Sequence, residues 1–223
     1  MTTARGVFDD VHRVLAVVAH PDDESFGLGA VIDRLVTGSA EVFVLCFTHG
    51  EASTLRGREG DLAAVRAAEL ADAARILGVT RTHLLDYRDT GLADVPVPTL
   101  AARVREVADQ DHPSHLLAFD AGGVTGHRDH RQATGAALTA ADVLGVPVIG
   151  WTVPEAVAGR LNSELGTSFV GRSEADIDWT ITVDRVHQWK AIAAHASQSA
   201  DNPVLHRRLA LLGDTEHLRR LRP

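Results

Sequence analysis

The residues with the most chemical potential lie in two short runs. Ala19-His20-Pro21-Asp22-Asp23-Glu24 holds one imidazole and three carboxylates, and Gly126-His127-Arg128-Asp129-His130 adds two imidazoles and a further acid. Neighbouring carboxylates repel unless a cation or hydrogen-bond donors compensate them. One role needs no ligand, because Asp and Glu favour the first turn of a helix and cap its free N–H groups. His127 and His130 are three apart, so a helical turn would set them on one face, and such a pair alone is weak evidence. Together the runs offer a specific chemistry. Two imidazoles and a carboxylate make a catalytic zinc set that leaves a position open for water, and Fe(II) takes the same donors.

These runs can act together only if the fold brings them together. Short apolar runs alternate with helical patterns along the chain. Strands are predicted at Arg13–Ala19, Glu41–Thr48, Thr82–Asp86, His115–Phe119, Pro147–Thr152 and Trp179–Val183. Helices are predicted at Leu28–Val36, Asp61–Leu77, Thr99–Ala108, His130–Leu144 and Val186–Ala196, with Gly38, Gly78 and Gly145 as stops. The last twenty residues read as one more helix, with Leu209, Leu212, Leu218 and Leu221 facing inward. This alternation implies a single α/β domain over residues 1–223, with a mostly parallel sheet and helices on both faces. Ligands of such sheets bind beyond the carboxyl ends of the strands. A strand order of 3-2-1-4 would bring His20 and Asp23 to His127 and His130. The turn after the first strand has no G-x-G-x-x-G, which disfavours a dinucleotide. Glu51–Asp61 and Pro154–Asp178 break the alternation, and loops of that length are often functional.

Composition narrows the class. The chain has 223 residues, 22 basic against 30 acidic, a net charge of −8, and one lysine, Lys190. Nucleic-acid binding needs a basic surface and is not expected. Cys46 is the one cysteine, so a disulfide framework and a Cys-rich zinc module are excluded. No apolar stretch approaches the ~18 residues of a membrane span. A cytoplasmic location and no membrane partner are the expectation, and self-association is left open.

The two runs also resemble a family. Ala19–Glu24 (AHPDDE) and His127–His130 (HRDH, where H-P-D-H is usual) are similar to motifs of the LmbE-like, or PIG-L-type, zinc-dependent N-deacetylases. Val65–Val79, Asp89–Leu92 (DTGL), Lys190–Gln198 and Glu216 resemble further family segments in the same order. The resemblance implies a Rossmann-like α/β fold with one catalytic Zn2+, with Fe2+ or another divalent metal as alternatives. It implies His20, Asp23 and His130 as ligands and Asp22 as general base. His127 would stabilise the oxyanion in its protonated form, with Asp129 beside it raising its pKa and orienting it. Arg66 matches a substrate-contacting arginine, the other reading being a surface pair with Glu69. Two departures stand out: Arg128 replaces a proline, and Thr125 stands where some sugar deacetylases carry a tyrosine.

The implied function is a metal-dependent hydrolase that removes an N-acyl group, expected to be N-acetyl, from an amino sugar or sugar-like small molecule. Alternatives are an amidase of thiol-sugar conjugates and a metal-binding family member without catalysis. The Ala- and Arg-rich composition is associated with genomes that use such enzymes in natural-product biosynthesis. From its place after the second strand, His49 is a further candidate substrate contact. Arg56 and Arg58 could meet a polyol or anion from the long loop. His195 and Trp151 read as structural, and Arg207, Arg208, Arg219, Arg220 and Arg222 as a solvated helix face.

Overall fold

A computed structural model of the chain describes residues 6–55 and 61–223. Its centre is a seven-stranded sheet of β1 (Arg13–Val18), β2 (Glu41–Thr48), β3 (Arg81–Tyr87), β4 (His115–Phe119), β5 (Val148–Thr152), β6 (Trp179–Thr182) and β7 (Thr215–Arg222), in the order β3-β2-β1-β4-β5-β7-β6. The first five strands run parallel, and β7 lies antiparallel between β5 and β6. The expected neighbours of β1 are therefore the observed ones. The helices are α1 (Asp23–Phe26), α2 (Gly29–Thr37), α3 (Leu62–Leu77), α4 (Val97–Asp111), α5 (Arg128–Leu144), α6 (Glu155–Leu165), α7 (Val186–Ala194), α8 (Ala196–Ser199) and α9 (Pro203–Leu212).

Strand β1 explains the layering. Its side chains alternate between faces, as any strand's do. Val14, Ala16 and Val18 enter one core with Leu28, Ile32 and Leu70, while Leu15, Val17 and Ala19 enter the other with Leu100, Val104 and Ala137. Both faces are covered, so the strand reads as an unbroken apolar run. Cys46 is buried in the first core. Among the described residues, no helix is long and apolar enough to cross a membrane.

The expected C-terminal helix is corrected. Only α9 is helical; Gly213 ends it at φ 60°, ψ −126°, and the chain returns as β7. From there burial follows a period of two, with Glu216 and Leu218 buried and His217 and Arg219 partly exposed. Leucine spacing alone could not show that change of period. The solvated basic face is corrected with it. Arg208 is buried at 5% exposure, Arg219 pairs with Asp120 at 2.7 Å and Arg222 with Asp142 at 2.8 Å. The Pro154–Asp178 excursion is a built element containing α6. It is fastened where Arg172 pairs with Asp120 at 2.5 Å and Pro154 bridges Arg172.

Asp120, at the end of β4, thus takes both arginines, and its carboxyl is held below the usual range because their hydrogen bonds outweigh burial. Asp120→Asn should destabilise the fold by about 1.5–3 kcal/mol near neutral pH, the scale of hydrogen bonds to charged groups. A carboxyl with a lowered folded pKa contributes stability above its unfolded pKa of about 4 and loses it as pH falls through the folded value. Urea unfolding at neutral pH and below pH 4 checks this: the gap between wild type and Asp120→Asn should shrink on acidification, and a gap that stays constant would contradict it.

Candidate active site

The site lies where β1 and β4 end side by side and their chains leave in different directions. The turn after β1 holds Asp22 at φ 118°, a conformation that costs an ordinary residue about 1–3 kcal/mol. Local bonds compensate. The N–H of Asp22 donates to Glu24 Oε2 at 2.9 Å, and its carbonyl accepts from Ser25 N and Phe26 N at 3.0 and 2.6 Å. Glu24 is fully buried and accepts from His195 Nε2 at 2.7 Å. Burial opposes charge on both partners, yet each outweighs it for the other: Glu24 lies below its ordinary pKa and His195 above. His195 therefore has the structural role expected of it, at the break between α7 and α8.

Three side chains converge beyond this turn. His20 Nδ1 lies 3.2 Å from His130 Nε2, His130 Nε2 lies 3.1 Å from Asp23 Oδ1, and His20 Nδ1 lies 3.7 Å from Asp23 Oδ2. Each side chain is fixed from behind. Asp23 Oδ2 accepts from the N–H groups of Ala19 and His20 at 3.1 and 3.0 Å. His130 Nδ1 faces Gly123 O at 3.3 Å and Thr125 Oγ1 at 2.7 Å. A carbonyl can only accept, which assigns the proton to Nδ1 and leaves Nε2 as the free donor atom. His20 Nε2 lies 3.1 Å from Asp89 Oδ1 and 3.5 Å from Asp129 Oδ2.

The electrostatics demand a cation. Burial disfavours charge on His20, but Asp129, Asp89 and Asp23 around it raise its pKa to about 10. Burial likewise opposes ionisation of Asp23, but His130 and His20 hold it well below the usual carboxylate range. Both oxygens of Asp129 are sealed from solvent without a hydrogen-bond partner. Buried carboxylates in such numbers need compensating positive charge. His130 Nε2, at 3.2 Å from His20 Nδ1 and 3.1 Å from Asp23 Oδ1, is spaced from them as along the edges of a tetrahedral site with ligand bonds of about 2.0–2.2 Å. Two broader groupings share His20, one with His127 and His130 and one with Asp89 and Asp129, each within 4.8 Å.

His127 caps α5, its Nδ1 accepting from Asp129 N at 3.2 Å. Here the expectation is corrected. The Asp129 carboxylate faces His20, and only its backbone meets His127. Burial, then the nearby His20 and His130, hold the His127 pKa below its ordinary value. A neutral imidazole that accepts at Nδ1 carries its proton on Nε2, so His127 remains a donor without being charged. Gly126 makes the turn, at φ 82°, and a Cβ there would lie 2.5 Å from Ser168 O.

Arg66 lines the cavity described below and is not on a solvated face. It is buried at 3% exposure, donating to Gly50 O at 2.6 Å, to Pro21 O and to Asp22 Oδ2 at 2.9 Å. A Cβ on Gly50, at φ 65°, would lie 2.1 Å from Arg66 NH1. Glu69 binds Ser197 N and Oγ at 2.8 and 2.6 Å instead of Arg66. Asp22 itself is pushed up to about 6, burial outweighing Arg66.

A cavity of 670 Å³ opens over these groups. His20, Asp22, Asp23, Arg66, His127 and His130 line it, and Asp129 lies behind. His49 does not line it; its Nε2 pairs with Asp86 Oδ1 at 2.9 Å. Arg56 and Arg58 lie outside the described residues. Trp151 is fully buried and donates to Glu216 Oε2 at 2.7 Å. Sequence reasoning missed Asp89, Thr125 as a support for His130, and Arg208 in the cavity wall. Residues 166–169, from the long excursion, form part of the opposite wall.

Comparisons with known proteins agree with this geometry. Residues 15–141 match the family model of the GlcNAc-PI de-N-acetylases (PIG-L). The 1D-myo-inositol 2-acetamido-2-deoxy-alpha-D-glucopyranoside deacetylase of Streptomyces griseus is 34% identical over 171 residues, covering 66% of this chain and 53% of that protein. The diacetylchitobiose deacetylase of Thermococcus kodakarensis is 34% identical over 143 residues, covering 63% and 53%. The chain thus spans about half the length of these relatives. In fold, it resembles the N,N'-diacetylchitobiose deacetylase of Pyrococcus horikoshii, with TM-score 0.70, 23% identity and coverage of 95% and 84%. It also resembles the 4-carboxy-2-hydroxymuconate hydratase of Pseudomonas putida, with TM-score 0.72, 18% identity and coverage of 95% and 97%. The fold thus hosts more than one reaction, but the sequence match is specific, and the chain belongs to the PIG-L (GlcNAc-PI de-N-acetylase) family.

Proposed function

We propose that this protein hydrolyses the N-acetyl amide of an amino sugar, with a divalent metal, Zn2+ first among candidates, held by His20, Asp23 and His130. The observation that carries the reading is the convergence of His20 Nδ1, His130 Nε2 and the Asp23 carboxylate, at 3.1–3.7 Å between side chains, with Asp22 outside it and tied to Arg66. The donor set also suits Fe2+. The names of the two curated relatives above, both deacetylases of N-acetylated sugars, support the substrate class.

When bound, the ion would supply Lewis acidity, polarising an amide carbonyl and bringing the pKa of water to about 7. The protein's own groups then divide the remaining work. Asp22 Oδ2 is anchored by Arg66. Its Oδ1 takes the proton from the attacking water and returns it to the departing amine nitrogen. General-base assistance of this kind is worth about 10²–10⁴ in rate. His127 Nε2–H donates to the carbonyl oxygen as negative charge develops there, a contribution of about 10²–10³. Asp89 and Asp129 flank His20 Nε2, which leaves Nδ1 to hold the ion, and Thr125 with Gly123 O at Nδ1 of His130 would leave its Nε2 for the same purpose. Thr125 thus supports a ligand and takes no part in proton transfer. A panel of N-acetylated sugars and glycosides tests the reaction: free amine and acetate should appear in equal amounts. Release of neither from any of them by metal-loaded protein would contradict the reading.

Protein purified without chelators should carry about one equivalent of divalent metal. Asp129→Asn should weaken retention about 10–100-fold, the usual effect of removing a partner behind a ligand. Elemental analysis with competing chelator measures both; less than a tenth of an equivalent after incubation with zinc would contradict the site.

Asp22→Asn and His127→Ala should each keep the metal and lower kcat by about 10²-fold or more. Metal content and steady-state kinetics on the same samples decide it. Loss of metal from either variant would make that residue a ligand.

A further inference from the structure

Three guanidinium groups near the site have little contact with solvent, and two of them are paired with a carboxylate, although Arg66 Nε, like Arg208 Nε, is sealed without a partner. Arg66 pairs with Asp22 and two backbone carbonyls. Arg185 pairs with Glu216 Oε1 at 2.6 Å and donates to Gly213 O and Thr215 O. Arg208, on α9, differs. It is 5% exposed, yet among the described residues it has no carboxylate within ion-pairing distance. It makes one hydrogen bond, from NH2 to Phe26 O, and its Nε is sealed without a partner. Glu216, the acid whose charge acts most on Arg208, is already taken by Arg185 and Trp151. The guanidinium carbon lies 5.1 Å over the Trp151 ring, which compensates only part of the charge. Arg208 stays charged although burial lowers its pKa.

A buried cation without a counter-charge is strongly unfavourable unless something else supplies one. Arg208 lines the same cavity as His20, Asp22, Asp23 and His130. Its NH1 makes no hydrogen bond and is not among the atoms sealed from solvent, so the cavity reaches it. An arginine fork with most donors unspent matches the paired oxygens of a carboxylate or phosphate. A neutral sugar hydroxyl would leave the charge uncompensated. A free anion would meet Asp22 and Asp23 in the same cavity, whereas an anionic group fixed on a seated sugar can be placed apart from them.

We propose that Arg208 is a specificity residue that binds a carboxylate or phosphate on the N-acylated substrate, so that anionic N-acetyl sugars are preferred over neutral ones. This rests on the N-acyl hydrolase reading. The test compares zinc-loaded wild type, Arg208→Gln and Arg208→Lys on N-acetylglucosamine, N-acetylglucosamine 6-phosphate and N-acetylmuramic acid. Calorimetry on glucosamine and glucosamine 6-phosphate provides a readout that needs no turnover. In wild type, at least one anionic substrate should exceed the neutral one in kcat/KM by about tenfold or more, and the two anionic substrates tell phosphate from carboxylate. Arg208→Gln should remove that preference while leaving the neutral substrate within about threefold, and Arg208→Lys should fall between, because a point charge lacks the fork. A smaller wild-type preference would overturn the proposal whether or not the variants fold. An equal loss on neutral and anionic substrates in Arg208→Gln would also overturn it, making the residue a packing element. If no amine is released but glucosamine 6-phosphate still binds about tenfold tighter than glucosamine in an Arg208-dependent way, the specificity role stands and the hydrolase reading falls.

Discussion

Asp23 is the joint on which the site depends. One carboxylate oxygen closes the turn after β1 by accepting the N–H groups of Ala19 and His20, and the other reaches His130 on α5. Two segments 107 positions apart in sequence thereby share one charged group. The sheet makes this contact available because β1 and β4 are neighbours whose chains depart in different directions at their carboxyl ends. The side chains that follow settle around that link. His20 is pressed between Asp23, Asp89 and Asp129, and His130 is turned by Gly123 and Thr125 so that its free nitrogen faces the same point. Without Asp23, two imidazoles and two further acids would face one another with no shared partner.

The second constraint keeps Asp22 off that point. Adjacent side chains diverge on an extended or a helical backbone, and here Arg66 further fixes the Asp22 carboxylate. Asp22 sits at positive φ, and the strain persists because its surroundings over-determine it. Glu24 holds the Asp22 N–H and is itself locked to His195, while Arg66 holds the Asp22 carboxylate from below. The helices α3, α7 and α8 therefore act at the site through side chains that never touch a metal. This arrangement suits Asp22 to the proposed role of base: burial raises its pKa towards 6, and Arg66 fixes one oxygen in place.

Much of this was legible in the sequence, for physical reasons that differ by element. β1, β2 and β4 are buried on both faces and announce themselves as apolar runs. The two loops carry their chemistry in adjacent residues, so composition and spacing were enough to find them. The C-terminal segment was misread because Leu209, Leu212, Leu218 and Leu221 straddle a helix and a strand, and only the backbone of Gly213 marks the change. The orientation of Asp129 could not be read, since facing His127 or His20 depends on how α5 sits against β1. Arg208 was hidden among five arginines near the end of the chain, because burial of a single charged residue on α9 leaves no local signature. Thr125 was visible only as a departure from a familiar pattern; its hydrogen bond to His130 gives it a role.

The central claim is that Asp23, and not His127, completes the donor set with His20 and His130. X-ray absorption at the zinc edge of the zinc-loaded protein tests it most directly, because multiple scattering counts imidazoles. The account predicts two imidazoles with the remaining donors oxygen, a count unchanged in His127→Ala and reduced to one in His130→Ala. Three imidazoles in the wild type, falling to two in His127→Ala, would contradict it.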